Sequence, residues 1–100
     1  MMIHHEIKED ILTVRPEGRL DTLNAPELER FLQEWYEQFR QIVFDLEKVS
    51  YISSAGLRVL VQAYKFMKEK DGILLRNVVS AQVRELLQLT GYAHVLPIIS

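Results

Sequence analysis

The chain has 100 residues, a formal net charge of -2 at pH 7, no cysteine, and 48% hydrophobic residues. This length fits one domain with one core, so we predict a single domain over residues 1–100. The lack of cysteine excludes disulfides and thiolate chemistry. The slightly negative charge argues against direct nucleic-acid binding, which needs a concentrated basic face. Because the sequence shows no basic leader and no long apolar run, we expect no signal peptide, no membrane insertion and a cytoplasmic protein.

The first part of the chain predicts a hairpin followed by a helix. Residues 2–7 and 11–15 are predicted strands joined by a short polar turn, and residues 16–18 then turn the chain. Asn24 is predicted to cap the first helix, with Glu27 at the spacing of a capping box. Apolar side chains at helical spacing predict one buried face of this helix: Leu28, Phe31, Leu32, Trp35 and Phe39.

The middle of the chain predicts a buried strand and a second helix. Residues 41–46 form an apolar run without alternation, which is typical of a central strand covered on both faces. Residues 49–53 are predicted to be a loop. A second amphipathic helix begins near Ser53 or Ser54, and Gly72 is placed to stop it.

The last part of the chain predicts a strand, a third helix and a final edge strand. The strand covers residues 73–78, Ser80 caps the helix and Gly91 ends it. Residues 95–99 form the edge strand, because Pro97 lacks the N–H of a central position. The order β-β-α-β-α-β-α-β predicts an α/β domain with a mixed central sheet and helices packed against it.

Two adjacent serines stand where the middle strand passes into the second helix. A hydroxyl beside a helix N-terminus lies where free N–H groups favour negative charge. A phosphate would bring about −1.5 to −2 charges to this place. The small residues Ala55 and Gly56 leave room for an enzyme to reach the hydroxyl. On the residues alone, however, an ordinary helix cap at Ser53 or Ser54 is the simpler explanation, because serine caps are common.

The wider segment resembles the STAS domain of anti-sigma factor antagonists. Members of that family carry a strand ending in Asp-Leu, a loop, and a phosphorylatable serine followed by a small residue, Gly and Leu. Residues 45–46 and 54–57 are similar to this pattern. Residues 18–21 resemble the family's Gly-x-Leu-Asp before its first helix, and residues 86–91 extend the likeness. The resemblance covers nearly the whole chain and implies that Ser54 is the phosphorylation site.

The chain departs from the family pattern in two places. Ser53 stands where many members have an acidic residue, which makes Ser53 the alternative phosphorylation site. The sequence stops at Ser100, where many relatives add a final helix. We therefore expect either a short member of the family or a last strand that is partly uncovered.

The resemblance implies a switch between partners. In the family, the unphosphorylated antagonist binds an anti-sigma factor that is also a serine kinase, and a sigma factor is released. The kinase then phosphorylates the antagonist, which dissociates, and a PP2C-type phosphatase restores it. The resemblance implies neither a catalytic residue nor a cofactor. It implies a partner-binding surface made of six residues: Asp21, Ser53, Ser54, Gly56, Arg58 and Lys65. The alternative for the two basic residues is an ordinary solvated helix face.

The sequence also bears on three other functions: a metal site, an enzyme and a non-switching scaffold. His4 and His5 face opposite sides of a predicted strand and His94 is distant in sequence, so we expect no metal site. Ser54 and Gly56 partly resemble a nucleophile elbow, with His94 as the base and Asp45 or Asp21 as the carboxylate that orients it. However, Ile52 occupies the place of the required first glycine. We therefore expect no enzyme. A non-switching STAS scaffold, including an accessory subunit of membrane transport machinery, remains open as an alternative.

Overall fold

A computed structural model describes residues 1–99. Its helices are α1 (Ala25–Gln33), α2 (Ser54–Met67) and α3 (Ala81–Thr90), and a short 3-10 turn, Tyr92–His94, follows α3. Its strands are β1 (Met2–Lys8), β2 (Ile11–Leu20), β3 (Gln41–Asp45), β4 (Val49–Ile52), β5 (Ile73–Arg76) and β6 (Ile98–Ile99).

The sheet is organised around β2. This strand pairs antiparallel with β1, parallel with β3 over its first half, and parallel with β4 over its last residues. β5 and β6 continue the sheet beyond β3 in parallel. The strand order is therefore β1-β2-β3-β5-β6, with β4 paired to the end of β2. The predicted α/β domain with a mixed central sheet is confirmed.

Two segments that were predicted outside strands belong to the sheet. The predicted turn at residues 16–18 is wrong, because these residues lie within β2 and Pro16 and Glu17 pair with β1. Residues 49–53 were expected to be a loop, but β4 covers most of them, so the chain has one more strand than predicted. The outer edge of β4 is held by side chains of the third helix region. Gln82 accepts a hydrogen bond from Ile52 N (2.8 Å) and donates to Ile52 O (2.9 Å), and Ser80 Oγ donates to Ser50 O (3.0 Å). Side-chain pairing of this kind leaves no strand signal in the sequence, because one partner lies about 30 residues away in a helix.

The predicted capping box of α1 is wrong. Asn24 occupies the N-cap position, but its side chain makes no capping hydrogen bond. Instead, Asn24 Nδ2 donates to Arg19 O at 2.7 Å. The Asp21 carboxylate accepts from the backbone N–H groups of Leu23 and Asn24, both at 3.1 Å. Asp21 therefore forms an Asx-type turn that leads the chain into the helix, a competing local geometry that capping-box spacing does not distinguish.

α1 is shorter than its apolar spacing predicts. It ends at Gln33, and residues 34–38 continue as turns. Phe39 is nevertheless buried, so the aromatic spacing reports burial beyond the end of the helix. Lys70 Nζ donates to the backbone oxygens of Tyr36 (2.9 Å) and Phe39 (3.2 Å). This tertiary contact satisfies carbonyls that a longer helix would have used itself.

The later elements agree with the sequence apart from their ends. Ser80 caps α3 by accepting from Val83 N at 3.4 Å, and Gly91 ends it in the left-handed region with φ +80°. The final strand is confirmed at the sheet edge but is only β6, next to β5. Gly72 follows α2 with φ +84°, and its N–H donates to Met67 O at 3.0 Å.

The core lies between the sheet and the helices. Among residues 1–99, no helix is long and apolar enough to cross a lipid bilayer. Each Å² of apolar surface that folding removes from water stabilises the protein by roughly 25 cal/mol. This burial is the main favourable contribution to folding. The largest fully buried side chains come from strands, helices and the segments between them: Phe44, Leu12, Leu20, Leu28, Leu32, Ile42, Leu46, Ile52, Leu60, Met67, Ile73 and Leu75.

Candidate functional site

The two adjacent serines have different structural roles. Ser53 is the N-cap of α2, in extended backbone, and its Oγ accepts a hydrogen bond from Gly56 N at 3.2 Å. Ser54 is the first residue of the helix, and its side chain is exposed. Among residues 1–99, no group forms a hydrogen bond with the Ser54 hydroxyl. The cap that the sequence assigned to either serine therefore belongs to Ser53, and Ser54 remains accessible.

Gly56 fixes the position of this helix start. It is buried, and a β-carbon at Gly56 would collide with the carbonyl oxygen of Leu20 and lie 2.8 Å from Leu20 Cγ. It would also lie 3.0 Å from Ile52 Cγ1. Only glycine permits so close an approach of the helix to β2. In the isolated chain, Gly56 is therefore buried. Its close contact with β2 determines where Ser54 lies on the surface.

Asp21 and Ser53 stand at the same edge of the sheet. Leu20 and Ile52 are partners in the parallel pairing of β2 and β4, and the two site residues follow them directly. Ser53 N donates to Leu20 O at 3.0 Å, which extends the pairing by one residue. Arg19 Nε lies 3.6 Å from Asp21 Oδ2. The carboxylate is therefore partly neutralised next to the serine pair.

A groove of about 460 Å³ opens beside Ser54. It brings Ser54 together with Arg58 and Lys65, whereas the other three predicted site residues lie outside its lining. Arg58 and Lys65 are exposed and are the charged groups of a lining that contains no carboxylate. The groove is therefore locally basic. The lining comes from α2, from the end of α3 and from the 3-10 turn that follows it: Ser54, Leu57, Arg58, Val61, Gln62, Lys65, Thr90 and Tyr92.

Gln82 is a site-positioning residue that no sequence pattern reveals. Its amide closes both backbone hydrogen bonds of Ile52, the residue directly before Ser53. It therefore anchors the strand end from which the serine pair departs. A glutamine in the first turn of a helix is common on protein surfaces, so nothing in the sequence marked this one.

Asp45 is a structural anion. Its burial raises the pKa, but hydrogen bonds from Asn77 Nδ2 (3.0 Å) and Glu47 N (3.1 Å), together with Arg76 and Arg15, hold the pKa below its usual value. Arg15 Nε and Arg76 Nη2 lie 3.4 and 3.5 Å from Asp45 Oδ2. The carboxylate is therefore ionised at neutral pH, and it joins the end of β3 to the middle of β2 and the end of β5.

The chain matches a known family. The order of its strands and helices, the start of α2 and the sheet topology agree with this match. The family model described as STAS domain matches residues 2–100. The chain belongs to the STAS domain, anti-sigma factor antagonist family. The anti-sigma-B factor antagonist of Listeria monocytogenes is 33% identical over 103 residues, which cover 98% of this chain and 90% of the relative. The anti-sigma-B factor antagonist of Bacillus subtilis is 31% identical over 100 residues, with 98% and 92% covered.

Solved structures of STAS proteins have the same fold. An anti-sigma factor antagonist from Mycobacterium paratuberculosis superposes with a TM-score of 0.88 at 23% identity, covering 97% of this chain and 83% of that chain. The phosphorylated form of SpoIIAA from Bacillus superposes with a TM-score of 0.75 at 16% identity, covering 99% and 92%. At these identities the structures establish the STAS fold of the chain.

Proposed function

We propose that the chain is an anti-sigma factor antagonist whose binding to its anti-sigma factor is switched off by phosphorylation of Ser54. The observation that carries the proposal is that the two serines have different structural roles. The Ser53 oxygen is engaged as the cap of α2, whereas the Ser54 side chain is exposed beside a groove. Ser54 is thus the hydroxyl that a kinase reaches without breaking the helix cap, and Ser53 is the alternative.

The partner in this proposal is an anti-sigma factor with serine kinase activity. It transfers the terminal phosphoryl group of ATP to Ser54 Oγ, and ADP and the hydroxyl proton leave. A PP2C-type phosphatase hydrolyses the phosphoserine and returns the protein to its binding form. No cofactor of the antagonist itself takes part.

The physical basis of the switch is local charge. A phosphate brings about −1.5 to −2 charges to a surface that binds the partner while neutral. Burying such a group without matched cations is costly. Asp21, at the same sheet edge, adds a negative charge that Arg19 neutralises only in part. Release therefore needs no refolding of the antagonist.

Binding measurements with variants at Ser54 test this proposal. The ligand is the serine-kinase anti-sigma factor of the same genome, titrated with wild type, Ser54→Ala and Ser54→Asp. We expect Ser54→Ala to bind like wild type and Ser54→Asp to bind at least about tenfold more weakly, a loss of roughly 1.4 kcal/mol. Thr90→Asp, at the far side of the groove, is the charge-matched control and should weaken binding less. Equal affinity of the alanine and aspartate variants would contradict the switch.

We also infer that the chain acts by binding and not by catalysis. A serine hydrolase needs a histidine base that a carboxylate orients. Asp45, one carboxylate considered for that role, is engaged by Asn77, Arg15 and Arg76 instead. A serine-directed fluorophosphonate should therefore leave Ser54 unlabelled under conditions that label a control hydrolase. Stoichiometric labelling of Ser54 would support the hydrolase alternative.

A STAS scaffold that is never phosphorylated, such as an accessory subunit of transport machinery, is the remaining alternative. It has the same fold and the same serine pair. For a scaffold, we expect the partner to bind Ser54→Ala and Ser54→Asp equally, because a scaffold has no need to discriminate between them. The binding titration above therefore separates the two functions.

A further inference from the structure

Ser54 and Arg58 are one helical turn apart on α2. Residues four apart lie on the same face of a helix, with β-carbons about 5–6 Å from each other. Side chains of a helix lean toward its N-terminus. The long Arg58 side chain therefore extends back over the turn that carries Ser54. Both residues are exposed, and both line the groove of about 460 Å³.

Arg58 is the groove cation that can reach a phosphate on Ser54. At about 1.5 Å rise per residue, Arg58 is roughly 6 Å from Ser54 along the helix axis, and Lys65 is roughly 16 Å away. An extended lysine side chain does not span that distance. The guanidinium also offers paired N–H donors whose geometry matches two phosphate oxygens. Arg58 is thus better placed than Lys65 by both distance and chemistry.

Arg58 has no competing anion among residues 1–99. Ion pairs in this part of the chain engage four other arginines: Arg15, Arg19, Arg40 and Arg76. The groove lining contains no carboxylate. Asp21, the acidic group at the neighbouring strand edge, already accepts two backbone N–H bonds and lies near Arg19. The Arg58 guanidinium is therefore available to a new anion in the groove.

We propose that Arg58 is the intramolecular counter-ion of phosphoserine at position 54. In the unphosphorylated protein the guanidinium faces the groove and can bind a carboxylate of the partner. After phosphorylation it pairs with the phosphate of its own helix. The modification then adds negative charge and also withdraws a cation from the docking surface. This inference rests on the proposed role of Ser54 as the phosphorylation site.

The test places phosphoserine at position 54 during translation, so that no kinase is needed. The ³¹P chemical shift is followed against pH in the otherwise wild-type protein and in Arg58→Gln. Arg84→Gln is the matched control, because Arg84 is exposed on α3 outside this groove and its loss changes the net charge equally. The charged groups that line the groove are Arg58 and Lys65 of α2, and Asp21 directly follows β2 at the neighbouring strand edge. The α3 side of the groove contributes Thr90 and Tyr92.

The expected result is a rise in the second phosphate pKa in Arg58→Gln. Free phosphoserine has this pKa near 6. A helix ion pair of about 0.3–0.5 kcal/mol corresponds to a shift of roughly 0.2–0.4 pH units. Arg84→Gln should shift the pKa less than Arg58→Gln does, since Arg84 is exposed on α3 outside the groove lining and salt screens its charge. Equal pKa values in the two variants would overturn the inference.

Two further measurements keep this result separate from the proposed function. Matching circular dichroism spectra of the variants exclude misfolding as the cause of a shift. Arg58→Lys keeps the charge but loses the paired N–H donors of the guanidinium, and it should give an intermediate phosphate pKa. If Ser54 is never phosphorylated in cells, the proposed function fails while the measured ion pair stands. If the pKa values are equal while Ser54→Asp still releases the partner, only the role of Arg58 fails.

Discussion

Gly56 of α2 lies so close to Leu20 of β2 that a β-carbon at position 56 would stand 2.8 Å from Leu20 Cγ. This contact joins the two sequence segments that resemble the family, the one before the first helix and the one at the serine pair. Although these two segments are far apart in the sequence, both are needed for this one packing contact. The exposed position of Ser54 depends on it, because the helix start is pressed against the end of β2.

Gly56→Ala should destabilise the fold. The added methyl group meets the Leu20 backbone oxygen, which cannot move without disturbing the pairing of β2 and β4. We expect the free energy of unfolding to fall by roughly 1–3 kcal/mol, the usual cost of overpacking. Urea denaturation measures this change. Ser54→Ala, two residues away and exposed, is the control and should change stability by less than about 0.5 kcal/mol. An unaltered urea midpoint in Gly56→Ala would contradict the close approach.

The two serines should differ in their contribution to stability. Ser53→Ala removes the oxygen that accepts from Gly56 N, and loss of such a cap costs about 1 kcal/mol. Ser54→Ala removes a side chain that is exposed in the first turn and should be nearly neutral. Thermal unfolding of the two single variants gives the comparison directly. A larger loss in Ser54→Ala than in Ser53→Ala would reverse the assignment of the cap.

Gln82→Ala should loosen the edge of β4. The variant leaves Ile52 N and Ile52 O without their partners at 2.8 and 2.9 Å, and each lost hydrogen bond typically costs about 0.5–1.5 kcal/mol. Amide hydrogen exchange at Ile52 should become at least about tenfold faster. Gln88→Ala, on an exposed part of the same helix, is the matched control. Unchanged protection of Ile52 in Gln82→Ala would show that the clamp is not formed in solution.

The stability of the protein should depend on the ionisation of Asp45. The folded-state pKa of Asp45 is lowered because hydrogen bonds from Asn77 and Glu47 N and the nearby arginines outweigh the opposing effect of burial. The carboxylate therefore contributes stability above its unfolded pKa of about 3.9, and this contribution is lost as the pH falls through the lower folded-state value. Asp45→Asn should destabilise by roughly 1–3 kcal/mol at pH 7.

Urea denaturation between pH 7 and pH 2 measures this linkage. The difference between wild type and Asp45→Asn should shrink as the pH falls below about 4. Asp71→Asn is the control, because Asp71 pairs with Arg40 at 3.2 Å on the exposed surface and such pairs contribute about 0–1 kcal/mol. If the difference for Asp45→Asn stays constant over this range, the carboxylate is not the stabilising group.

Local patterns predicted most of the fold. Three correct predictions each rest on a pattern within a few residues. They are the apolar run of β3, the amphipathic spacing of α2 and the glycine that ends α3. β4 was missed because its outer edge is closed by Gln82 and Ser80, side chains about 30 residues away. Asn24 was assigned the wrong bond for a similar reason. Its spacing fits a capping box, but the Asp21 turn and the Arg19 carbonyl provide the partners instead.

The candidate site could be predicted in position but not in detail. The serine pair and its family resemblance pointed to the start of α2. The sequence did not distinguish the cap from the exposed hydroxyl, because both serines satisfy the same propensity. Gly56 was expected to leave space around the serine. It is instead buried against Leu20, a tertiary contact that no local spacing encodes.

The most direct test of the switch is intact-mass analysis of the protein after incubation with ATP and lysate from its source cells. Wild type, Ser54→Ala and Ser53→Ala are compared in parallel. The account predicts one added phosphoryl group on wild type and on Ser53→Ala, and none on Ser54→Ala. The same addition on Ser54→Ala as on wild type would contradict the assignment of Ser54 as the switch residue.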